Sequence, residues 1–267
     1  MSVPVSLAGR TALVTGASAG IGEAFARLLA SQGANVFLVA RREERLRMLA
    51  NELEQEFGIR AEVCAVDLSR PGAAAEIVAA AERMRLDVDI LVNNAGFAAS
   101  KNFLNSDWAE LNAEMQVMMT AVTELMHRFA PAMKERGYGR IINLASLAAF
   151  APTAPSMLYT GIKAFVLNVS EAVDMELKPH GVFVTALCPG FTWSEFHDVQ
   201  GTRELTDKLP DFMWHDAATV ARAGLDAVMA GQPVCVPGVV NKTLAFTSRL
   251  LPERMRYMLG RAGRMVE

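Results

Sequence analysis

The chain has 267 residues, 52% of them hydrophobic and 21% charged, and its mean hydropathy of +0.21 belongs to a globular protein rather than a disordered one. Its 26 Lys and Arg against 29 Asp and Glu leave a formal net charge of −3, which offers no electrostatic footprint for nucleic acid. Three well-separated cysteines, Cys64, Cys188 and Cys235, form neither a disulfide framework nor a metal motif, so no metal site is expected and a reducing compartment is the simplest context. The N-terminus lacks a basic stretch followed by an apolar one. No apolar run approaches the roughly 18 residues of a membrane span, and the expected location is the cytoplasm.

Short β-branched runs alternate with longer helical stretches almost to the C-terminus, the pattern of a parallel sheet with crossover helices. Strands are expected at 11–15, 35–40, 62–66, 90–93, 140–145, 182–187 and 234–237. Helices are expected near 21–31, 43–57, 72–85, 108–134, 156–178 and 217–230, with Gly33, Gly58, Gly137 and Gly181 as stops. No linker divides the chain, which reads as one domain over residues 1–238 followed by a helical extension over 239–267.

The first strand runs into Thr15-Gly16-Ala17-Ser18-Ala19-Gly20-Ile21-Gly22 and then a helix. Glycines there let the backbone turn sharply and approach a pyrophosphate, whose charge is favoured by the free N–H groups of the helix N-terminus. Further motifs follow in order: Asp67-Leu68 after the third strand, Asn93-Asn94-Ala95-Gly96 after the fourth, Ser146 after the fifth, Tyr159 and Lys163 four residues apart on one helix face, and Pro189-Gly190-Phe191-Thr192 after the sixth. Taken together, from about Leu7 to about Gly238, they resemble the single-domain short-chain dehydrogenase/reductases.

That resemblance implies a three-layer, Rossmann-like, doubly wound α/β fold with a seven-stranded parallel sheet. It also implies a nicotinamide dinucleotide held by Gly16, Ser18, Gly20, Ile21, Gly22, Asp67, Leu68, Asn94, Gly96, Pro189, Gly190 and Thr192, with Ser194 as a further contact. At the end of the second strand, Ala40 followed by Arg41 leaves room and positive charge for a 2′-phosphate, favouring NADP(H) over NAD(H). The alternative is that Arg41 and Arg42 simply open a solvated, charge-rich helix. The basic residue that many NADP-dependent relatives carry inside the glycine turn is replaced here by Ala19.

The resemblance further implies interconversion of a carbonyl and its alcohol, with Tyr159 as general acid/base, Ser146 as hydrogen-bond donor to the substrate oxygen, and Lys163 holding the nicotinamide ribose. A lysine cation about 4 Å from the tyrosine, at an effective dielectric of about 20, would favour the phenolate by roughly 4 kcal/mol, bringing the tyrosine toward neutrality. One departure stands out: the asparagine that the family places on its fourth helix aligns with Met118, whose thioether cannot make the amide's hydrogen bonds. Either a backbone carbonyl or Thr120 supports the water linked to the lysine instead, or the proton relay is weakened. That departure also keeps open a rival from another class, a catalytically weak regulator that senses NADP(H).

Residues 191–215 mix aromatic and polar side chains after a strand end, as a substrate loop does, and their apolar content suggests a hydrophobic substrate. His197 and His215 within it are open between substrate contact and surface. Cys188 reads as a small buried hydrophobe rather than a reactive thiol. The tail, with short helices expected about Pro252, either closes its Leu and Phe residues over the pocket or a neighbouring subunit, or meets a membrane surface or a binding partner. By the resemblance, the chain is expected to form a homodimer or homotetramer.

Overall fold

The computed structural model describes residues 6–97, 103–150, 157–193 and 213–264. Its elements follow the expected alternation: β1 (Thr11–Thr15), α1 (Gly20–Ser31), β2 (Asn35–Ala40), α2 (Glu43–Phe57), β3 (Ala61–Ala65), α3 (Ala73–Arg83) and β4 (Val88–Asn93). Then come α4 (Trp108–Met115), α5 (Ala121–Glu135), β5 (Gly139–Leu144), α6 (Met157–Leu177), β6 (Val182–Leu187), β7 (Phe191–Thr192) and β8 (Trp214–His215). The chain continues through α7 (Ala217–Met229), β9 (Val234–Cys235), α8 (Val239–Leu250) and α9 (Glu253–Arg264).

Seven parallel strands form the main sheet in the order β3-β2-β1-β4-β5-β6-β9. Strand order reverses beside β1, so the crevice at the carboxyl ends of β1 and β4 is where such a sheet binds ligands. The strands are apolar on both sides because both faces are covered. On β1, Leu13 joins a cluster with Phe37, Leu91, Ile141 and the helices α3 and α5. Its neighbours Ala12 and Val14 point the other way, into a cluster of Val36 and Ile90 on the adjacent strands with Phe25, Leu29, Leu46 and Leu225 of the layer built by α1, α2 and α7. This two-residue alternation is what produces three layers. Fully burying a side chain such as Phe25 or Leu29 contributes about 1.5–3 kcal/mol, and both are at 0% exposure.

A buried polar framework fixes α6 against the sheet. Buried Asn93 on β4 donates to Asn143 Oδ1 on β5 at 2.8 Å, and Asn143 donates to Ser170 Oγ on α6 at 2.9 Å. Ser170 in turn donates to the Val166 carbonyl at 2.6 Å. At the far end of the same helix, Asp174 accepts from the Val184 amide at 2.9 Å and from Lys178 at 3.2 Å. Buried polar groups hydrogen-bonded in this way specify one docking position for a helix, although Asn93 Oδ1 itself has no partner among the described residues.

Two sequence expectations differ from the structure. The helix expected over 108–134 is not continuous: residues Gln116–Thr120 form a π-helical turn between α4 and α5, centred on Met118. Apolar periodicity cannot reveal one extra residue in a turn, and such turns gather at functional sites. The substrate loop also contains structure of its own, a short parallel pairing of Phe191 with Trp214 and Thr192 with His215. Residues 194–212, which include Ser194 and His197, lie outside the described residues.

Candidate active site

The glycine turn sits at the sheet's carboxyl edge. Gly16 and Gly20 have φ of 66° and 58°, backbone that only glycine adopts without strain. Gly22 is required for a different reason: a Cβ there would lie 2.2 Å from the Gly16 carbonyl oxygen and 2.4 Å from Asn94 Nδ2. Asn94 closes the turn from β4, donating to the carbonyls of Thr15 at 3.0 Å and Gly16 at 3.3 Å. Thr15 Oγ1 accepts from the amides of Asn94 and Ala95, both at 3.0 Å. At the N-terminus of α1 stands Ala19, which has no side-chain cap to offer, so the first-turn N–H groups present an anion-binding end.

Arg41 is exposed and lies close enough to Asp67 to help hold its carboxyl below the usual value. Desolvation opposes that fall, and hydrogen bonds from the amide and hydroxyl of Ser69 drive it. Asp67 therefore caps its own turn, as ordinary Asx chemistry does. Leu68 beside it is buried against the sheet. The arginine that reaches the glycine turn is Arg42, unassigned by the sequence reading. Its Nη2 donates to Ser18 Oγ at 3.0 Å and its Nε at 3.2 Å. Positive charge is thereby present at the turn although Ala19 itself is neutral.

Ser146, Tyr159 and Lys163 converge beyond the ends of β5 and β6. The Ser146 hydroxyl hydrogen-bonds the Tyr159 side chain while accepting from the Ala148 amide at 3.1 Å. Lys163, one turn along α6, is 5% exposed; its Nζ donates to the Leu144 carbonyl at 2.6 Å and lies 5.4 Å from the centroid of the Tyr159 ring. Burial lowers Lys163 from 10.5 to about 8.

Tyr159 behaves opposite to the sequence expectation. Desolvation of its hydroxyl pushes it from 10.0 up to about 12; the Ser146 hydrogen bond works against this and the charge of Glu114 adds to it. The Coulomb argument from sequence counted the lysine and left out burial, and here the ammonium is turned to the Leu144 carbonyl. Glu114, fully buried on α4, had no sequence signal: its position facing α6 is a tertiary fact.

Met118 is buried and packs its sulfur against the backbone at Gly96, 3.1 Å from where a Cβ would stand. Thr120 is exposed. Cys188 is fully buried, and desolvation raises its thiol to about 12, so it is protonated and inert as expected. Pro189 accepts from the Leu147 amide at 2.8 Å, tying the loop after β6 to the segment that carries Ser146. Gly190 leaves room for Asn241 of α8, whose Nδ2 is 2.7 Å from a Cβ placed there. Thr192 is buried and donates to the Gly190 carbonyl at 3.2 Å. Nearby, Trp193 stacks on Trp214 at 4.0 Å and Phe191 meets Trp214 at 5.6 Å, while Ala245 of α8 packs in the cluster of Phe150, Val166 and Cys188. The inner face of α8 thus closes against the site. No group of His, Cys, Asp and Glu that could hold a metal occurs among the described residues.

A parallel doubly wound sheet carrying a glycine turn at its switch point and a Ser/Tyr/Lys cluster one crevice away defines a Rossmann-like oxidoreductase. The chain belongs to the short-chain dehydrogenase/reductase family, whose model, described as short chain dehydrogenase, matches residues 10–204. It is 34% identical over 186 residues to a ketoacyl reductase of Nostoc sp.; the match spans 70% of this chain and 64% of that protein's length. Among solved structures it is similar to a short-chain dehydrogenase from Sphingobium yanoikuyae in complex with NADPH (TM-score 0.79, 32% identity, 97% of this chain and 95% of that one). It is also similar to a bulky-bulky ketone specific alcohol dehydrogenase from Comamonas testosteroni (TM-score 0.76, 30% identity, 97% and 94%).

Proposed function

We propose that the protein is an NADPH-dependent carbonyl reductase in which Tyr159 is the acid, Ser146 holds the carbonyl oxygen and Lys163 holds the nicotinamide ribose. The observation that carries this is the joined pair Ser146–Tyr159 beside a buried Lys163, beyond strand ends that also carry the glycine turn. The turn fits a dinucleotide: its glycines clear the approach and the uncapped end of α1 offers N–H groups to a diphosphate. Arg41 and Arg42 together offer two guanidinium groups to a 2′-phosphate.

NADPH, when bound there, supplies the hydride. The chain's own residues then handle the substrate oxygen. A tyrosine raised to about 12 keeps its proton at neutral pH, the form an acid needs when an alkoxide develops. Ser146 donates to the same oxygen where charge accumulates. Lys163 at about 8 is still largely ammonium at neutral pH, the form that donates to ribose hydroxyls. With Met118 apolar and Thr120 exposed, the backbone carbonyls of the π-helical turn remain as acceptors for the relay behind Lys163. The stacked Trp193 and Trp214 with Phe191 favour a hydrophobic ketone or aldehyde.

Following NADPH absorbance with the purified protein across hydrophobic ketones, aldehydes and acyl thioesters tests this reading. Oxidation that depends on the carbonyl compound is expected. Tight NADPH binding without oxidation by any of them would instead favour the redox-sensing regulator, for which the Met118 departure speaks.

A further inference from the structure

The outer side of the C-terminal helices is unused by the fold or the site. On α8, Asn241 and Ala245 face inward and are buried, whereas Val239, Phe246 and Leu250 form a row on the opposite side with 81%, 63% and 67% exposure. Past Pro252, α9 exposes further apolar side chains: Met255 and Met258, three residues apart, are 51% and 69% exposed, and Tyr257 is 67% exposed. Scattered apolar residues at a surface need no explanation, but a row along one helix followed by more on the next does. Exposed cations border it: Lys242 on α8, and Arg254 and Arg261 on α9.

Charge selects the occupant. Residues 239–267 hold six Lys and Arg (Lys242, Arg249, Arg254, Arg256, Arg261, Arg264) against Glu253 and Glu267, a net of +4, so the remainder of the chain carries −7 of the overall −3. A second copy docking symmetrically on this row would bring two net-positive segments together, because a two-fold interface uses the same patch of both copies. An anionic, apolar-backed surface satisfies both features at once: methionines and Phe246 enter the acyl boundary while the arginines meet phosphates. No helix of the described residues is long and apolar enough to cross a membrane, and lying on the surface requires none.

We propose that the outer faces of α8 and α9 dock the enzyme on anionic phospholipid surfaces, with Phe246, Leu250, Met255 and Met258 inserted and Arg254 and Arg261 paired to headgroups. The residues proposed to dock lie on the opposite side of α8 from Asn241 and Ala245, which face the site, so docking and carbonyl reduction are separable, and this inference stands whether or not the proposed activity does.

The test is co-sedimentation of the full chain with phosphatidylglycerol vesicles and, separately, phosphatidylcholine vesicles. Binding to the former alone, released by added salt, is expected. Arg254→Ala with Arg261→Ala should weaken it by about 30-fold, each cation near such a surface contributing about 1 kcal/mol. Met255→Asp with Met258→Asp should abolish it while the unfolding temperature and sedimentation velocity without vesicles stay unchanged. Three results overturn the proposal: no binding to either vesicle; equal binding to both; or a smaller oligomer in the Met255→Asp, Met258→Asp variant, which would make the row a contact between copies.

Discussion

Replacing Lys163 by Met should abolish activity and, at neutral pH, relieve the fold of a buried charge. Lys163 is 5% exposed, and its fall from 10.5 to about 8 corresponds to about 3 kcal/mol at roughly 1.4 kcal/mol per pH unit. Below about pH 8 both the folded and unfolded chains hold the proton, and the folded chain bears the whole cost of burying the ammonium. Between about 8 and 10.5 the folded chain has released the proton and the unfolded chain has not, so the cost fades and wild-type stability gains with rising pH. Lys163→Met leaves the Leu144 carbonyl without its 2.6 Å donor, a loss of about 1 kcal/mol that does not vary with pH. The stability difference, variant minus wild type, should therefore fall by about 3 kcal/mol across that window. Urea unfolding followed by tryptophan fluorescence at a series of pH values measures it. A difference that stays flat from pH 7 to 10.5 would refute the argument that this ammonium is held against its desolvation cost.

Three other outcomes follow from the site. Arg42→Ala should raise the KM for NADPH by about 10- to 100-fold, the worth of one or two charge-assisted hydrogen bonds, and leave the KM for NADH nearly unchanged; equal effects on both would place Arg42 in turn structure only. Glu114→Gln removes a charge that raises Tyr159, so the tyrosine loses its proton at lower pH, and the rising limb of alcohol oxidation should move to lower pH; an unmoved limb would separate Glu114 from Tyr159. Gly161→Ala should raise stability by about 1 kcal/mol through helix propensity, since a Cβ there meets nothing within 4 Å; thermal unfolding reads it directly, and a lower melting temperature would count against the open space.

The family resemblance made much of the site readable in the sequence. The glycine turn, Asn94, and the Ser146, Tyr159 and Lys163 set match its motifs, and the strand ends and helix faces that carry them follow from two-residue and 3.6-residue periods. What escaped depends on how elements meet. Which of two consecutive arginines turns back to Ser18 is decided by where α2 begins. Glu114 looks like any polar position on an amphipathic helix until α4 is packed on α6. Asn143 and Ser170 lie 27 residues apart and become one bracket only when β5 and α6 are in place. The direction of the Tyr159 shift was missed for a related reason: a charge pair can be read from an i, i+4 spacing, but the burial that opposes it belongs to the assembled core.

The most direct test of the account is Tyr159→Phe, assayed for NADPH oxidation with a hydrophobic ketone and, in parallel, for NADPH binding. The account predicts that turnover falls by about 10²- to 10⁴-fold, the usual contribution of a positioned acid, with NADPH affinity unchanged. Turnover equal to wild type in that variant would contradict it.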